Sequence, residues 1–239
     1  MRIDSIKALI FDTFGTVADW RTSIIREGEA LGARKGWTID WPAFADEWRF
    51  EGYKAGYAKV ASGELPWMTV DALHRLQLDR MLVARGLADQ LGEAETDHLN
   101  RAWHRLWPWA DAIPGLSRLK RRFVIAPFSN GNVALLTNMA KHVGLPWDCI
   151  LSTELTRIYK PDPRTYRMAA ELLGLAPEAL LMVAAHRFDL DGARKAGLPT
   201  AFVARPDEFG GKRKADEAQD GDYDVVVRDF MQLADRLGC

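Results

Sequence analysis

Four short apolar runs recur along this chain, at residues 8–11, 123–127, 180–184 and 200–203, each four or five residues long and rich in β-branched, aromatic or aliphatic side chains. Each is followed by a turn signal and then, for the most part, by a helical pattern. Between the second and third runs, 133–143 reads as a helix stopped by Gly144, and a weaker strand falls around 149–152. A helix over 163–173 follows, with Pro163 near its start and Gly174 just past its end. This alternation predicts an α/β fold with a doubly wound parallel sheet, a Rossmann-like core. In such sheets the chemistry gathers at the carboxyl ends of the strands, so the polar residues just beyond those ends are the ones to read.

Residues 20 to 107 break the rhythm. They hold no convincing strand, only amphipathic stretches such as WPAFADEWRFEGYKAGYAKV (41–60) and VDALHRLQLDRMLVARG (70–86). Helices inserted directly after the first strand sit over its end, so a helical cap is expected. The division is a core of residues 1–18 and 108–239 and a cap of 19–107. The polar segment 205–224, with mixed charge and three glycines, reads as a solvated, mobile loop.

The first strand runs into Asp12, with Thr16 four places on. The second leads to Ser129 and Asn130 in PFSNGN, the next loop to Lys160 in RIYKPDPRTY with Tyr166 six residues later, and the strand at 180–184 to His186, Phe188 and Asp189 in AAHRFDLDGA. A lone aspartate or serine in a loop is usually a cap or turn former. Successive strand ends delivering an acid, a hydroxyl, a lysine and an acid are hard to attribute to turn chemistry.

Composition narrows the partners. The 239 residues carry 32 basic and 33 acidic side chains, so no global field recruits nucleic acid or an anionic membrane. Two cysteines, Cys149 and Cys239, suggest neither a disulfide framework nor a thiolate metal site. No signal peptide is visible and no segment reaches the roughly 18 apolar residues that span a bilayer, so a cytoplasmic protein is expected. His74, His98, His104 and His142 lack metal spacing and read as ordinary helix residues.

In their order these residues resemble the four motifs of the haloacid dehalogenase superfamily: a nucleophilic Asp, a Ser/Thr, a Lys and an acidic cluster. The resemblance covers residues 7–18 and about 108–230, and the inserted helices fit its cap. Most members are magnesium-dependent phosphatases, with an acid two residues after the nucleophile and an aspartate four residues before the last acid. Here those places hold Phe14 and Ala185. Phenylalanine donates no proton, and losing a carboxylate removes much of the charge that holds magnesium.

The sequence instead looks like the (S)-2-haloacid dehalogenase branch, whose first motif reads aspartate, any residue, aromatic, Gly-Thr, as in Asp12-Thr13-Phe14-Gly15-Thr16. A halide leaves without a proton, so an aromatic residue can replace the acid and shape the pocket. Trp48-Arg49 in the cap and Lys160-Pro161-Asp162 with Tyr166 match further features of the branch. The resemblance implies metal-independent, cofactor-free hydrolysis of short (S)-2-haloalkanoic acids to (R)-2-hydroxy acids. Asp12 would attack C2 and form an ester. Lys160 would keep Asp12 ionised, and Arg49 would meet the departing halide. Ser129, the Asn130 backbone amide and Thr16 would bind the substrate carboxylate, and Asn130's side chain would help hold the halide.

Asp189 is expected to position or deprotonate the water, Tyr166 to orient Lys160 or Asp12, and Phe14 and Phe188 to line the substrate site. His186 stands where the branch often carries asparagine. It reads equally as the water's base or halide-pocket residue, or as a rim residue bonded to Asp189. Among the nine tryptophans, Trp103 and Trp107 are expected to pack between cap and sheet, while Trp67 and Trp109 are candidates for facing the pocket. Relatives of the branch are often dimers, which leaves a homodimer as an expectation by analogy. A small-phosphate-ester phosphatase is the second reading, opposed by Phe14 and Ala185. A noncatalytic binding protein is the third, opposed by Asp12, Lys160 and Asp189.

Overall fold

A computed structural model describes residues 3–239 of the protein. Six strands, β1 (Ala8–Phe11), β2 (Val124–Ser129), β3 (Leu151–Ser152), β4 (Leu180–Ala184), β5 (Thr200–Val203) and β6 (Val225–Val227), form one parallel sheet in the order β3-β2-β1-β4-β5-β6. The first strand is central, with Leu9 beside Ile125 on one side and Leu181 on the other. All four of its residues are 0% exposed, which is why the run is apolar throughout rather than alternating. Strand order reverses between β1 and β4, so the crevice beyond their carboxyl ends is where such a sheet offers a site.

The insertion between β1 and β2 is helical: α1 (Trp20–Lys35), α2 (Trp41–Glu47), a π-helical segment (Trp48–Lys54), α3 (Ala55–Ala61), α4 (Val70–Ala84) and α5 (Glu93–Asn100). After it come α6 (Ala112–Leu119), α7 (Val133–Val143), α8 (Pro163–Leu172), α9 (Arg187–Lys195) and α10 (Phe230–Arg236). Local signals end these helices where expected. Gly144 turns left-handed at φ 73° and closes α7, and Asp162 caps α8 by accepting from Arg164 N.

Several expectations are corrected. The run at 123–127 forms a strand that continues to Ser129, because pairing with β3 extends it to Phe128 and Ser129. The 205–224 segment is solvated only in part. Arg205 is buried, with Nε donating to Thr16 O at 2.9 Å and both Nη atoms to Asp111 at 2.8 and 2.9 Å. Glu208 is buried as well. Strand β6 was not foreseen, since three valines after an acidic loop carry too little pattern to read.

Aromatic packing builds the interior of the insertion. Trp20, Trp48 and Trp103 are fully buried, with Trp103 stacked on Trp20 at 6.1 Å and edge-on to Trp48 at 5.4 Å. Each such ring removes roughly 150–250 Å² from water, about 4–6 kcal/mol of transfer free energy. Trp107, expected in the same layer, is instead 54% exposed, its ring set at a steep angle to that of His142 at 5.4 Å. His74 and His104 are not ordinary helix residues either. His74 stacks on Trp103 at 4.1 Å, and His104 Nε2 lies 3.0 Å from both carboxylate oxygens of Asp71. Asp71 also accepts from Asn132 Nδ2 at 2.9 Å, which ties α4 to the loop opening α7.

Candidate active site

Asp12 follows β1 and is held from three sides. Lys160 Nζ donates to Oδ1 at 2.9 Å, while Thr16 Oγ1 at 2.8 Å and His186 Nδ1 at 2.9 Å meet Oδ2. Burial opposes ionisation of this carboxyl, but the Lys160 ammonium and the His186 hydrogen bond outweigh it and hold the group far below the usual carboxylate range. The Asp12 carboxyl is therefore held in its anionic form.

Lys160 is itself buried, which disfavours its charge, yet Asp12 and Asp189 together push it above the ordinary lysine value. Its third hydrogen bond goes to Phe128 O at 3.0 Å. Asp189 is fully enclosed: Lys160 Nζ meets Oδ2 at 2.5 Å and Tyr166 Oη donates to Oδ1 at 2.5 Å. With both oxygens engaged inside the protein, Asp189 has no face toward a substrate or water. Its geometry fits anchoring Lys160, and that of Tyr166 fits anchoring Asp189.

The fourth strand end delivers His186 over Asp12. Its Nε2 lies 3.2 and 3.0 Å from the carboxylate oxygens of Glu208, whose Oε1 also accepts from Trp20 Nε1 at 3.2 Å. Burial works against protonating the imidazole, but Glu208 first and then Asp12 raise its pKa to about 10. Glu208 fits only because residue 15 is glycine, since a Cβ there would lie 2.2 Å from Oε1 and the backbone has φ +87°. Thr16, expected on the substrate, is committed elsewhere. Its hydroxyl donates to Asp12 and accepts from Ala185 N at 2.9 Å, and it is 0% exposed.

Opposite Asp12, the π-helical segment carries Arg49. The guanidinium is buried with no carboxylate partner among the described residues, and its Nη1 makes no hydrogen bond. Aromatic faces take the place of counter-ions: Tyr53 at 4.7 Å, Phe14 at 5.1 Å and Trp20 at 5.5 Å from Cζ. Between Asp12 and Arg49 lies a cavity of about 40 Å³, measured as the space open to the centre of a water-sized sphere. Phe14, Tyr53, Lys54, Ser129, Asn130, Lys160, His186 and Phe188 complete its lining.

A family profile described as haloacid dehalogenase-like hydrolase matches residues 6–197. The chain belongs to the haloacid dehalogenase-like hydrolases. It is 30% identical over 208 residues to (S)-2-haloacid dehalogenase 4A of Burkholderia cepacia, covering 85% of each chain. It is 31% identical to an (S)-2-haloacid dehalogenase of a Pseudomonas species (strain YL), over 85% of this chain and 84% of that one. Among solved structures it resembles a defluorinating L-2-haloacid dehalogenase with 42% identity and a TM-score of 0.93, covering 98% of this chain and 96% of the other.

For this haloacid dehalogenase-like hydrolase, the sequence-derived candidates Asp12, Phe14, Arg49, Ser129, Asn130, Lys160, His186 and Phe188 gather around one cavity. Thr16, Tyr166 and Asp189 lie behind it. The Asn130 side chain is spent inside the protein, with Nδ2 donating to Tyr53 Oη at 3.0 Å and Oδ1 accepting from Lys160 N at 2.9 Å. Neither Trp67 nor Trp109 lines the cavity; Trp109 Nε1 donates to Gly15 O at 2.8 Å. The histidine bonds Asp12 and Glu208, and not Asp189 as one reading had it. Sequence reasoning missed Glu208, Tyr53 and Lys54. Nothing in RPDEFGG distinguishes Glu208 from a surface acid, because its contacts come from residues 15, 20 and 186.

Proposed function

We propose that this hydrolase acts on carbon–halide bonds as an (S)-2-haloacid dehalogenase, converting short (S)-2-haloalkanoates to (R)-2-hydroxy acids without a metal. The observation that carries the reading is an ionised Asp12 facing an unpaired, aromatic-walled guanidinium, with Phe14 where a phosphatase needs a proton donor. By the scale of about 10–15 Å³ per enclosed water, the cavity holds roughly three waters' worth of substrate, which suits a two- or three-carbon acid.

In the first step the Asp12 carboxylate attacks C2 from the side opposite the halogen. The new C–O bond forms as the C–X bond breaks, C2 inverts, and the electron pair leaves with the halide toward Arg49. The substrate carboxylate binds to Ser129 and the Asn130 backbone amide. Two anions about 4 Å apart repel by roughly 4 kcal/mol at an effective dielectric of 20, and Lys160 and Arg49 offset that term.

Esterification removes one of the two anions holding the proton on His186, so its pKa falls and the Nδ1 proton is released to solvent. The neutral ring then keeps Nε2–H on Glu208 and turns the Nδ1 lone pair toward the ester. It takes a proton from the water that adds to the Asp12 carbonyl carbon. His186 returns that proton to the C2 oxygen as the acyl C–O bond breaks, which frees the hydroxy acid, and the regenerated Asp12 carboxyl gives its own proton to His186 to restore the starting pair. The role given earlier to Asp189 thus passes to His186, with Glu208 fixing the tautomer.

The residues of the second reading do not fit phosphoryl transfer: Phe14 cannot protonate a leaving oxygen, and the Asp189 oxygens are occupied by Lys160 and Tyr166. We also place the core at 1–18 and 108–239 and the cap at 19–107, with the protein in the cytoplasm. No helix among the described residues is long and apolar enough to cross a membrane. The test is halide release from racemic 2-chloropropionate with EDTA present and Asp12→Asn as control. Wild-type release of halide with (R)-lactate as product supports the reading. A retained configuration, loss of activity in EDTA, or release by Asp12→Asn overturns it.

A further inference from the structure

Two cations that share the Phe50 ring take no part in the chemistry described so far: Lys54, which lines the Asp12 cavity, and Arg213, which lines a separate one. Lys54 ends the π-helical segment and lines the cavity beside Arg49, Tyr53 and Phe188. Its ammonium lies 5.0 Å from the centre of the Phe50 ring. Arg213, on the loop that also supplies Glu208, lays its guanidinium over the same ring at 3.7 Å. Both side chains are exposed, and neither forms an ion pair among the described residues.

Five other cations of the chain are paired. Arg21, Lys35, Arg75, Arg85 and Arg105 each hold a carboxylate within 3.0 Å. The acids nearest the rim are already engaged. Glu208 is spent on His186 and Trp20, and Asp216 accepts from Arg187 N at 2.8 Å. A ring face orients a cation without neutralising it. The rim therefore carries two oriented positive charges that remain open to an anion from solvent.

We propose that Lys54 and Arg213 form a capture site for the carboxylate of the incoming haloacid and make the enzyme selective for anionic over neutral alkyl halides. This rests on the haloacid reading above. The rim adds positive charge outside Asp12 and Glu208, the two carboxylates whose like charge opposes an anion approaching Arg49. Cations bordering a narrow, low-dielectric opening focus the field and raise both encounter rate and occupancy. Because the charges are solvent-exposed, the effect fades once the Debye length falls below about 8 Å, near physiological ionic strength. Lys54 belongs to the cap and Arg213 to the core loop, and they meet on Phe50, so the site exists only when the two are packed together.

The experiment measures halide release from chloroacetate as a function of ionic strength for wild type, Lys54→Met, Arg213→Met and the double variant. Lys59→Met, an exposed helix position paired with Glu64, serves as control. At low salt each single variant is expected to lower kcat/KM about threefold and the double about tenfold. KM should carry most of the change, the salt dependence should flatten, and Lys54→Arg should restore the wild-type slope. If wild type releases halide but the variants match it in kcat/KM and salt slope, the capture site is wrong and the dehalogenase reading stands. A loss confined to kcat with an unchanged salt slope also overturns it, by making Lys54 a structural residue. If wild type releases no halide from any 2-haloacid, both fall.

Discussion

Replacing Glu208 with glutamine removes one negative charge from the edge of His186 while keeping an oxygen that can accept from Nε2. In the folded protein His186 is raised from 6.5 to about 10, a difference worth at most about 5 kcal/mol at 1.36 kcal/mol per pKa unit. Glu208 outranks Asp12 among the groups raising it. Opposite unit charges 3.0 Å apart attract by roughly 5 kcal/mol at an effective dielectric of 20, so the carboxylate accounts for more than half of the effect. The histidine in Glu208→Gln should titrate roughly two units lower, which NMR of the ring protons can follow.

The stability consequence has a definite sign. A folded pKa above the unfolded one gives stability that is complete below 6.5 and is lost as pH rises through about 10. Wild type should therefore lose more thermal stability between pH 6.5 and 10 than Glu208→Gln does. The kinetic consequence separates the two chemical steps. Displacement of halide needs only Asp12, Lys160 and Arg49, so a burst of one halide per enzyme should survive. Hydrolysis loses its oriented base and should slow by about 10²–10⁴-fold. Rapid mixing with 2-chloropropionate followed by intact-mass measurement should then find Asp12 esterified in the variant and free in wild type. Unchanged turnover with no accumulated ester would refute the role given to His186 and Glu208, as would loss of the burst itself.

Three further outcomes follow from the same geometry. Arg49→Met should abolish halide release yet leave the ligand-free protein as stable as wild type or more so in thermal melts, because it removes a buried charge that lacks a carboxylate partner. Tyr166→Phe should cost about 1.5–3 kcal/mol in denaturant unfolding, the worth of a hydrogen bond to the buried Asp189 carboxylate, with a smaller loss in kcat. Gly15→Ala should reproduce the accumulated ester of Glu208→Gln and lower stability by about 1–2 kcal/mol, since its Cβ displaces Glu208 and its left-handed φ is strained.

Much of the site is legible along the chain because a parallel sheet delivers side chains at fixed places, just past each strand. Asp12, Ser129 and His186 could be named from apolar runs and the residues that end them, and Lys160 from the loop that follows the weaker strand. Arg49 needed the resemblance, since a helix arginine has no local mark that separates burial against Phe14 and Tyr53 from exposure to water. The sequence alone thus determined the alternation of strand and helix, the helical insertion and the order of the chemical groups, all of which rest on short-range pattern.

Tertiary structure decided which of those groups face the cavity. Thr16, Tyr166 and Asp189 turn inward because Ala185 N, Lys160 and each other satisfy them, and a buried polar atom settles where its hydrogen bonds are completed. Glu208 arrives from a loop nearly 200 residues after Gly15, brought beside it by the pairing of β4 with β5. Lys54 and Arg213 meet only across Phe50. Partnerships of this kind depend on distances across the fold, and a linear pattern of hydrophobic period and turn residues carries no information about them.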